Sequence, residues 1–222
     1  MRRSVLLVGL AAVGLLVTKV LPLDTTGEPE YGRHYAFLHV QPGTSNTPIG
    51  FDPCLGVNIV VNDSEWPGDG TQLVTEAAAE LSAASGIPLR VIGTSKDRAT
   101  WRVRTVMGQP VLVDWSSPAL QPGLTGDVAG LGGSIPVRGR SGRQTLAAGS
   151  ISLDTPSLQA YAAHRGGAAV VKGVIIHELG HVLGLGHPNE DGQLMSARGR
   201  TNSLRKGDLR GLQLLAAVPC GA

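Results

Sequence analysis

The stretch from His177 to His187, which reads His-Glu-Leu-Gly-His-Val-Leu-Gly-Leu-Gly-His, constrains this chain more than any other. On a helix, His177 and His181 lie about 40° apart round the axis and about 6 Å apart along it, so both imidazoles project from one face. This is the spacing of two zinc ligands. Glu178 follows the first, where its carboxylate can reach a zinc-activated water without ligating the ion. The pattern therefore predicts two metal ligands and a general base on one helix.

The third histidine predicts where that helix ends. On an uninterrupted helix, His187 would point about 240° away from His181 and could not bind the same ion. Gly184 lies between them, and glycine readily adopts the left-handed conformation that ends helices. We therefore expect the chain to turn at Gly184 and to bring His187 back as the third ligand, with one coordination position left open.

These residues resemble the metzincin metalloproteases, whose pattern HExxHxxGxxH is followed by a turn that contains a methionine. Met195, in Gln-Leu-Met-Ser, stands where the family places that Met-turn methionine. Ala197 replaces the tyrosine of the astacin-like and serralysin-like branches, so the resemblance is to matrixins, including small secreted bacterial ones. It implies a zinc-dependent endopeptidase with one catalytic zinc ion and Glu178 as general base.

The resemblance also implies a mixed α/β fold of the metzincin type. Such a fold has a twisted, mostly parallel sheet with an antiparallel edge strand, an active-site helix and a C-terminal helix. Apolar patterns agree, because they predict strands over residues 56–62, 89–93 and 110–115 and a helix over 74–84. Strand, helix, strand in that order predicts a right-handed crossover between parallel strands.

The stretch between residues 118 and 150 is rich in glycine and has short apolar runs, which predicts a long irregular loop. The resemblance assigns residues 149–154 to the antiparallel strand at the upper rim of the cleft, an edge that an extended peptide can join. Asp127 and Asp154 offer carboxylates for a calcium ion. Two scattered acids among glycines are more typical of turns, so calcium is the less favoured interpretation.

Two helices are predicted in the last third of the chain. From about Gly167 the residues are apolar nearly all round, as expected for a buried helix that carries the motif. Leucines at three-residue spacing over residues 209–216 predict a short amphipathic C-terminal helix. Asp208 is expected to support the first turn of that helix, where negative charge is favoured, rather than to bind metal.

The resemblance points to one substrate pocket. In matrixins, the residue four before the first zinc histidine closes the floor of the pocket for the side chain after the scissile bond, and here it is Gly173. With apolar Val174 and Leu183 nearby, this predicts an open apolar pocket that prefers large apolar residues. The alternative is that Gly173 lets a neighbouring element approach the helix.

The composition limits the number of domains and the kinds of partner that this chain can have. The 222 residues are 42% hydrophobic and 16% charged, which suits one catalytic domain over residues 52–222. A net charge of +2 is too small to indicate nucleic acid as a partner. The resemblance implies a protein or peptide substrate, and we expect a monomer. Residues 24–51 are rich in proline, glycine and polar residues and are predicted to form a linker or extended arm.

Residues 1–23 resemble an export segment. Arg2 and Arg3 precede an apolar run from Val5 to Val17, and Lys19 ends it before it reaches the ~20 residues of a comfortable membrane span. No Ala-x-Ala cleavage pattern follows, so both a cleaved signal peptide and an N-terminal membrane anchor stay open. Either predicts a protein that is secreted or anchored to the outer face of the cytoplasmic membrane.

The two cysteines, Cys54 and Cys220, are predicted to form one disulfide, because an isolated pair in an exported protein is typically oxidised. The alternative is a cysteine switch, in which a propeptide thiolate blocks the metal in many matrixins. Asp-Pro-Cys-Leu-Gly around Cys54 is a poor likeness of the family sequence Pro-Arg-Cys-Gly-Val-Pro-Asp, so the disulfide is favoured.

Three rival classes of protein share part of this pattern. A gluzincin site needs a downstream glutamate as third ligand, and no glutamate follows Glu190. A structural zinc site needs a fourth protein ligand, which the motif does not contain. A non-catalytic adhesion or regulatory domain that retains zinc stays open, although nothing structural demands a glutamate at position 178.

Overall fold

A five-stranded mixed sheet lies at the centre of the structure, a computed structural model that describes residues 31–99, 108–139, 141–198 and 201–221. The predicted signal or anchor segment, residues 1–23, lies outside the described residues. In chain order the elements are β1 Ala36–Phe37, β2 Val57–Asn62, α1 Gly70–Ser85, β3 Leu89–Thr94, β4 Val111–Ser116, β5 Gly130–Arg138, β6 Gln144–Asp154, α2 Thr155–Ala162, α3 Gly167–Leu183, β7 Leu185–Gly186 and α4 Lys206–Ala216.

The main sheet has the strand order β3-β2-β4-β6-β5. Its first four strands run parallel, and β5 pairs antiparallel with β6 at one end. The β-branched residues of β2 explain its central place, because Ile59 and Val61 are fully buried. The mixed α/β fold with a mostly parallel sheet, an antiparallel edge strand, a helix that carries the histidine motif and a C-terminal helix is therefore as predicted.

The glycine-rich stretch is where the sequence prediction was wrong. Residues 130–138 and 144–154 form the two longest strands, β5 and β6, in place of an irregular loop. The predicted rim strand, 149–154, is part of β6, which lies inside the sheet between β4 and β5. The antiparallel edge is β5. Its glycines give little strand signal, because glycine is depleted in strands and has no side chain to form an alternating pattern.

The described part of the predicted linker or arm, residues 31–51, contains turns and isolated bridges and packs onto the folded unit. Tyr35, Phe37, Ile49 and Phe51 are all buried in the main hydrophobic core. The two residues of β1 pair antiparallel with β7. Among the residues described, no helix has the length and apolar character needed to cross a membrane.

A disulfide joins Cys54 to Cys220, as predicted, across 166 residues of chain. Asp52 strengthens the same junction, because its carboxylate accepts hydrogen bonds from the backbone N–H of Cys54 and of Gly221, at 2.9 and 2.8 Å. The start of the sheet is thereby tied to the segment after α4. Both sulfurs are used, so the structure has no thiol for the switch alternative.

We expect the double variant Cys54→Ser/Cys220→Ser to unfold more easily than the oxidised protein, by up to about 5 kcal/mol, because the bond restricts a very long loop in the unfolded chain. Urea unfolding of both proteins, with and without reductant, measures the difference. Reductant should destabilise the wild type and leave the double variant unchanged. Equal unfolding free energies in the absence of reductant would contradict the expectation.

Candidate metal centre

Helix α3 carries the motif and ends where the sequence predicts. Gly184 has φ +116°, and its N–H donates to the carbonyls of Gly180 and His181, both at 3.1 Å. A Cβ atom at Gly184 would also lie 2.8 Å from the carbonyl oxygen of Ile49. Glycine is therefore required at this position for two reasons, the left-handed turn and the close approach of the arm.

The turn after α3 brings the three histidines together. The Nε2 atoms of His177 and His181 are 3.0 Å apart, those of His181 and His187 3.0 Å, and those of His177 and His187 3.2 Å. His181 is buried, His177 is half-buried and His187 is exposed. The three nitrogens thus form a nearly equilateral triangle that faces the cleft.

Hydrogen bonds show which ring nitrogen carries the proton in two of these histidines. His177 Nδ1 lies 2.7 Å from the carbonyl oxygen of Leu194, and His181 Nδ1 lies 2.8 Å from that of Leu185. A carbonyl oxygen only accepts, so each Nδ1 donates. Burial lowers the pKa of all three histidines, that of His181 to about 3, so the rings are neutral. The Nε2 atoms of His177 and His181 then face each other as unprotonated acceptors.

Unprotonated nitrogens this close repel one another unless a cation lies between them. A tetrahedral zinc ion, with Zn–N distances of about 2.0–2.1 Å, holds its nitrogen ligands about 3.3 Å apart, close to the spacing of this triangle. Three neutral imidazoles, two of which donate from their other nitrogen to a carbonyl oxygen, are a donor set suited to zinc. The residues present therefore fit a zinc ion with an open fourth position.

Met195 lies beside the histidines without joining them. It is 2% exposed, and a Cβ atom at Gly180 would lie only 2.6 Å from its sulfur, so the methionine packs against α3 next to His181. The preceding carbonyl, that of Leu194, is the one that orients His177. The Met-turn thus supports the histidine cluster by packing and by one hydrogen bond.

Asp208 is a supporting residue whose full role the sequence did not reveal. As predicted, it caps the first turn of α4, because its Oδ2 accepts from the N–H of Arg205 at 2.8 Å. Its carboxylate also accepts from the N–H groups of Leu194, at 2.7 Å, and Met195, at 3.1 Å. Burial raises the pKa of Asp208, and these backbone hydrogen bonds oppose the increase. The carboxylate therefore holds the Met-turn and is not free to ligate a metal.

Glu178 is packed between α3 and the edge strand β5. Cβ atoms at Gly130 and Gly132 would lie 2.7 Å from its Cγ and 2.6 Å from its backbone oxygen, so only glycine leaves room for it. Glu178 is 6% exposed and lines the cleft with the histidines. Burial raises its pKa to about 8, and a hydrogen bond from the backbone of Gly132 opposes the increase. The glycines that made β5 difficult to predict from the sequence thus leave space for the Glu178 side chain.

The cleft beside the histidines has a volume of about 680 Å³. Gly173 and Val174 line it, but a Cβ atom at Gly173 would lie 2.9 Å from the Cα of Asn202, so the pocket floor is closed by that residue. This contact with Asn202 supports the alternative interpretation, that Gly173 lets a neighbouring segment approach the helix closely. Leu183 is fully buried in the core and does not line the cleft, which corrects its assignment to the pocket.

The described ranges contain two groups of three possible metal ligands. The second group of three possible ligands there consists of Asp52 with Cys54 and Cys220, whose sulfurs are bonded to each other. Neither Asp127 nor Asp154 belongs to such a group among the described residues. Asp154 is 3% exposed and bonds to the Ser157 hydroxyl, as a residue at the start of a helix does.

Comparison with known proteins agrees with this geometry. Residues 136–216 match the family model described as Peptidase_M10, matrixin, and this segment includes the three histidines, Glu178 and Met195. The segment is matrixin-like. Matrixins are zinc metallopeptidases, so the match supports a zinc-metallopeptidase family for the chain. It covers less than half of the chain, and no curated protein matches.

Two solved structures show a weaker likeness that extends over 72% of the chain. Archaemetzincin from Methanopyrus kandleri is 18% identical with a TM-score of 0.39, and covers 72% of this chain and 92% of its own. A chain from the GM1-bound form of the ECX AB5 holotoxin is 15% identical with a TM-score of 0.43, and covers 72% and 79%. Neither likeness carries the assignment, which rests on the matrixin-like segment and the site.

Proposed function

We propose that this protein is a zinc-dependent endopeptidase of the matrixin type. The observation that carries the proposal is the convergence of three histidine Nε2 atoms, all within 3.2 Å of one another, in a cleft that Glu178 also lines. His177, His181 and His187 would hold the ion. When bound, zinc would act as a Lewis acid that lowers the pKa of water and polarises a carbonyl group.

Glu178 is proposed as the general base. Its carboxylate is next in the chain to the first histidine and lies in the cleft without belonging to the triangle of nitrogens. In this role it takes a proton from the attacking water and passes it to the amine that leaves when the peptide bond breaks. The close walls of Gly130 and Gly132 keep the side chain in one orientation, which such a transfer requires.

Strand β5 is proposed to bind the substrate main chain. It is the end strand of the sheet, paired with β6 on one side, and Gly130, Leu131 and Gly132 line the cleft. An extended peptide can add to such an edge by main-chain hydrogen bonds. This assigns to β5 the role that the sequence alone placed on residues 149–154.

Metal analysis combined with proteolysis tests the proposal. The purified protein should contain one zinc ion per chain and cleave an unfolded protein such as reduced casein. A chelator should abolish cleavage, and added zinc should restore it. Zinc without cleavage would favour the alternative, a non-catalytic extracellular binding domain that retains the site. A protein that binds no zinc would overturn the proposal.

We expect Gly130→Ala to lower the turnover rate about a hundredfold, because its methyl group must displace the side chain of Glu178, and misplacing a catalytic group by about 1 Å has an effect of that size. Gly133→Ala is the matched control on the same strand, since a Cβ atom there meets nothing within 4 Å. Zinc content should be normal in both. Equal turnover in the two variants would show that Glu178 does not depend on the space at Gly130.

Substrate preference should follow the shape of the closed pocket. Val170 and Val174 form an uncharged wall, and Asn202 closes the floor against Gly173, so we expect small to medium apolar residues after the cut rather than large ones. Cleavage-site profiling with a peptide library measures this. Val170→Asp, at a position 37% exposed, should shift the preference toward basic residues. A wild-type preference for acidic residues would contradict the expectation.

Export is also proposed, either as a secreted protein or as one anchored to the outer face of the cytoplasmic membrane. The disulfide between Cys54 and Cys220 supports it, because disulfides persist mainly in oxidising compartments. Cell fractionation of a producing strain tests it. Recovery of the protein in the reducing cytoplasm alone, with both thiols free, would contradict export.

A further inference from the structure

Of the three histidines, His187 has the ring with the fewest contacts that fix its orientation. The rings of His177 and His181 are each oriented by a carbonyl oxygen, and both side chains lie on the rigid helix α3. His187 is exposed and lies in the loop after β7. Within the described ranges, its ring makes hydrogen-bonding contacts only with the other two histidines. Its orientation must therefore come from its backbone.

The backbone on both sides of His187 is bonded to one short segment of the arm, residues 31–38, which we call the clamp segment. On the N-terminal side, β1 pairs with β7 through Ala36 and Gly186 and through Phe37 and Leu185, and the N–H of Leu38 donates to the carbonyl of Gly184 at 2.9 Å. On the C-terminal side, the N–H groups of Asn189 and Glu190 donate to the carbonyls of Gly32 and Arg33, at 2.9 and 3.0 Å.

Close packing and charge fix the clamp segment in place. A Cβ atom at Gly186 would lie 3.1 Å from the backbone carbon of Phe37, and one at Gly207 would lie 2.0 Å from the carbonyl oxygen of His34. The carboxylate of Glu190 binds the side chains of Arg33 and His34. The clamp segment therefore contacts the His187 loop, strand β7 and the first turn of α4 together.

We infer that the clamp segment is the positioning element for the third metal ligand. It fixes residues 184–186 and 189–190, so the loop between them has little freedom to move His187 Nε2 out of the triangle. This inference rests on the proposed function in taking zinc as the bound group. It adds that residues well outside the matrixin-like segment set how tightly that segment holds its metal.

Zinc affinity of the full chain, measured by competition with a chromophoric chelator, tests the inference. Ala36→Pro removes a backbone donor from β1 and should weaken zinc binding about 10- to 100-fold, the range found when groups that orient metal ligands are lost. Hydrogen exchange of the metal-free protein should show faster exchange at Asn189 and Glu190. The unfolding midpoint of the metal-free protein is measured alongside to detect general destabilisation.

A milder pair of variants keeps the test decisive if Ala36→Pro does not fold. Glu190→Gln breaks the ion pair with Arg33, alters the contact with His34 and should weaken zinc binding roughly two- to fivefold. Glu80→Gln is its control, because Glu80 is equally exposed, 39%, and pairs with Lys172 away from the clamp segment. Zinc affinity should be unchanged in Glu80→Gln. Equal affinities in these two variants would overturn the inference.

A double variant separates positioning from a general structural role. If the clamp segment acts through His187, adding Ala36→Pro to His187→Ala should not weaken zinc binding further than His187→Ala alone. A full additional loss would show that the segment acts on the whole fold and would overturn the inference. A wild-type chain that binds no zinc would instead overturn the proposed function. Wild-type binding with normal affinity in Ala36→Pro would overturn the clamp inference alone.

Discussion

Glu178→Gln is expected to retain zinc and to lose turnover by about 10²- to 10⁴-fold, the usual contribution of a positioned general base. Glutamine has nearly the same shape, so it fits the space left by Gly130 and Gly132 and can still accept the hydrogen bond from the Gly132 backbone. It cannot take a proton from water. Steady-state hydrolysis of a peptide substrate, with zinc content measured on the same sample, gives the result.

In the metal-free state, the same variant should not be less stable than the wild type. Burial raises the pKa of Glu178 to about 8, which means that the ionised carboxylate is disfavoured in this environment. A neutral amide removes that cost. Glu80→Gln, on the surface of α1, is a suitable control with unchanged turnover. Turnover like that of the wild type in a fully metallated Glu178→Gln protein would show that another group is the base.

His187→Ala is expected to lose zinc affinity and activity together. If three ligands share a binding free energy on the order of 10 kcal/mol, removing one costs about 3 kcal/mol, which is a hundredfold or more in affinity. Competition with a chelator measures the affinity, and the folded state is checked by circular dichroism. The exposed position of His187 means that the substitution leaves no cavity in the core.

Asp208, expected from the sequence to support α4 rather than to bind metal, is not free to replace His187 as a ligand. Its carboxylate already accepts hydrogen bonds from three backbone N–H groups and lies under the Met-turn. Full zinc occupancy with normal affinity in His187→Ala would therefore contradict the assignment of His187 itself. His164→Ala serves as a control histidine variant, because His164 is exposed and is not in the triangle.

Local spacing accounts for most of what the sequence predicted well. The helix over 74–84, the strands around residues 59, 91 and 113, and the end of α3 at Gly184 depend on periodicity and on one left-handed glycine, which act over a few residues. Long-range contacts account for what it missed. Leu183 was placed in the pocket from its nearness in sequence, but it lies on the buried side of α3.

The motif by itself determined which residues come together at the centre: two histidines on one helical face, the glutamate beside them, and a third histidine returned by a glycine turn. That follows from helix geometry alone. Tertiary structure decided that the glycine-rich stretch becomes β5, because its strand is stabilised by pairing with β6 and by the space that Glu178 needs. It also decided that the supposed linker brackets His187, since backbone pairing between residues 150 positions apart leaves no trace in local sequence pattern.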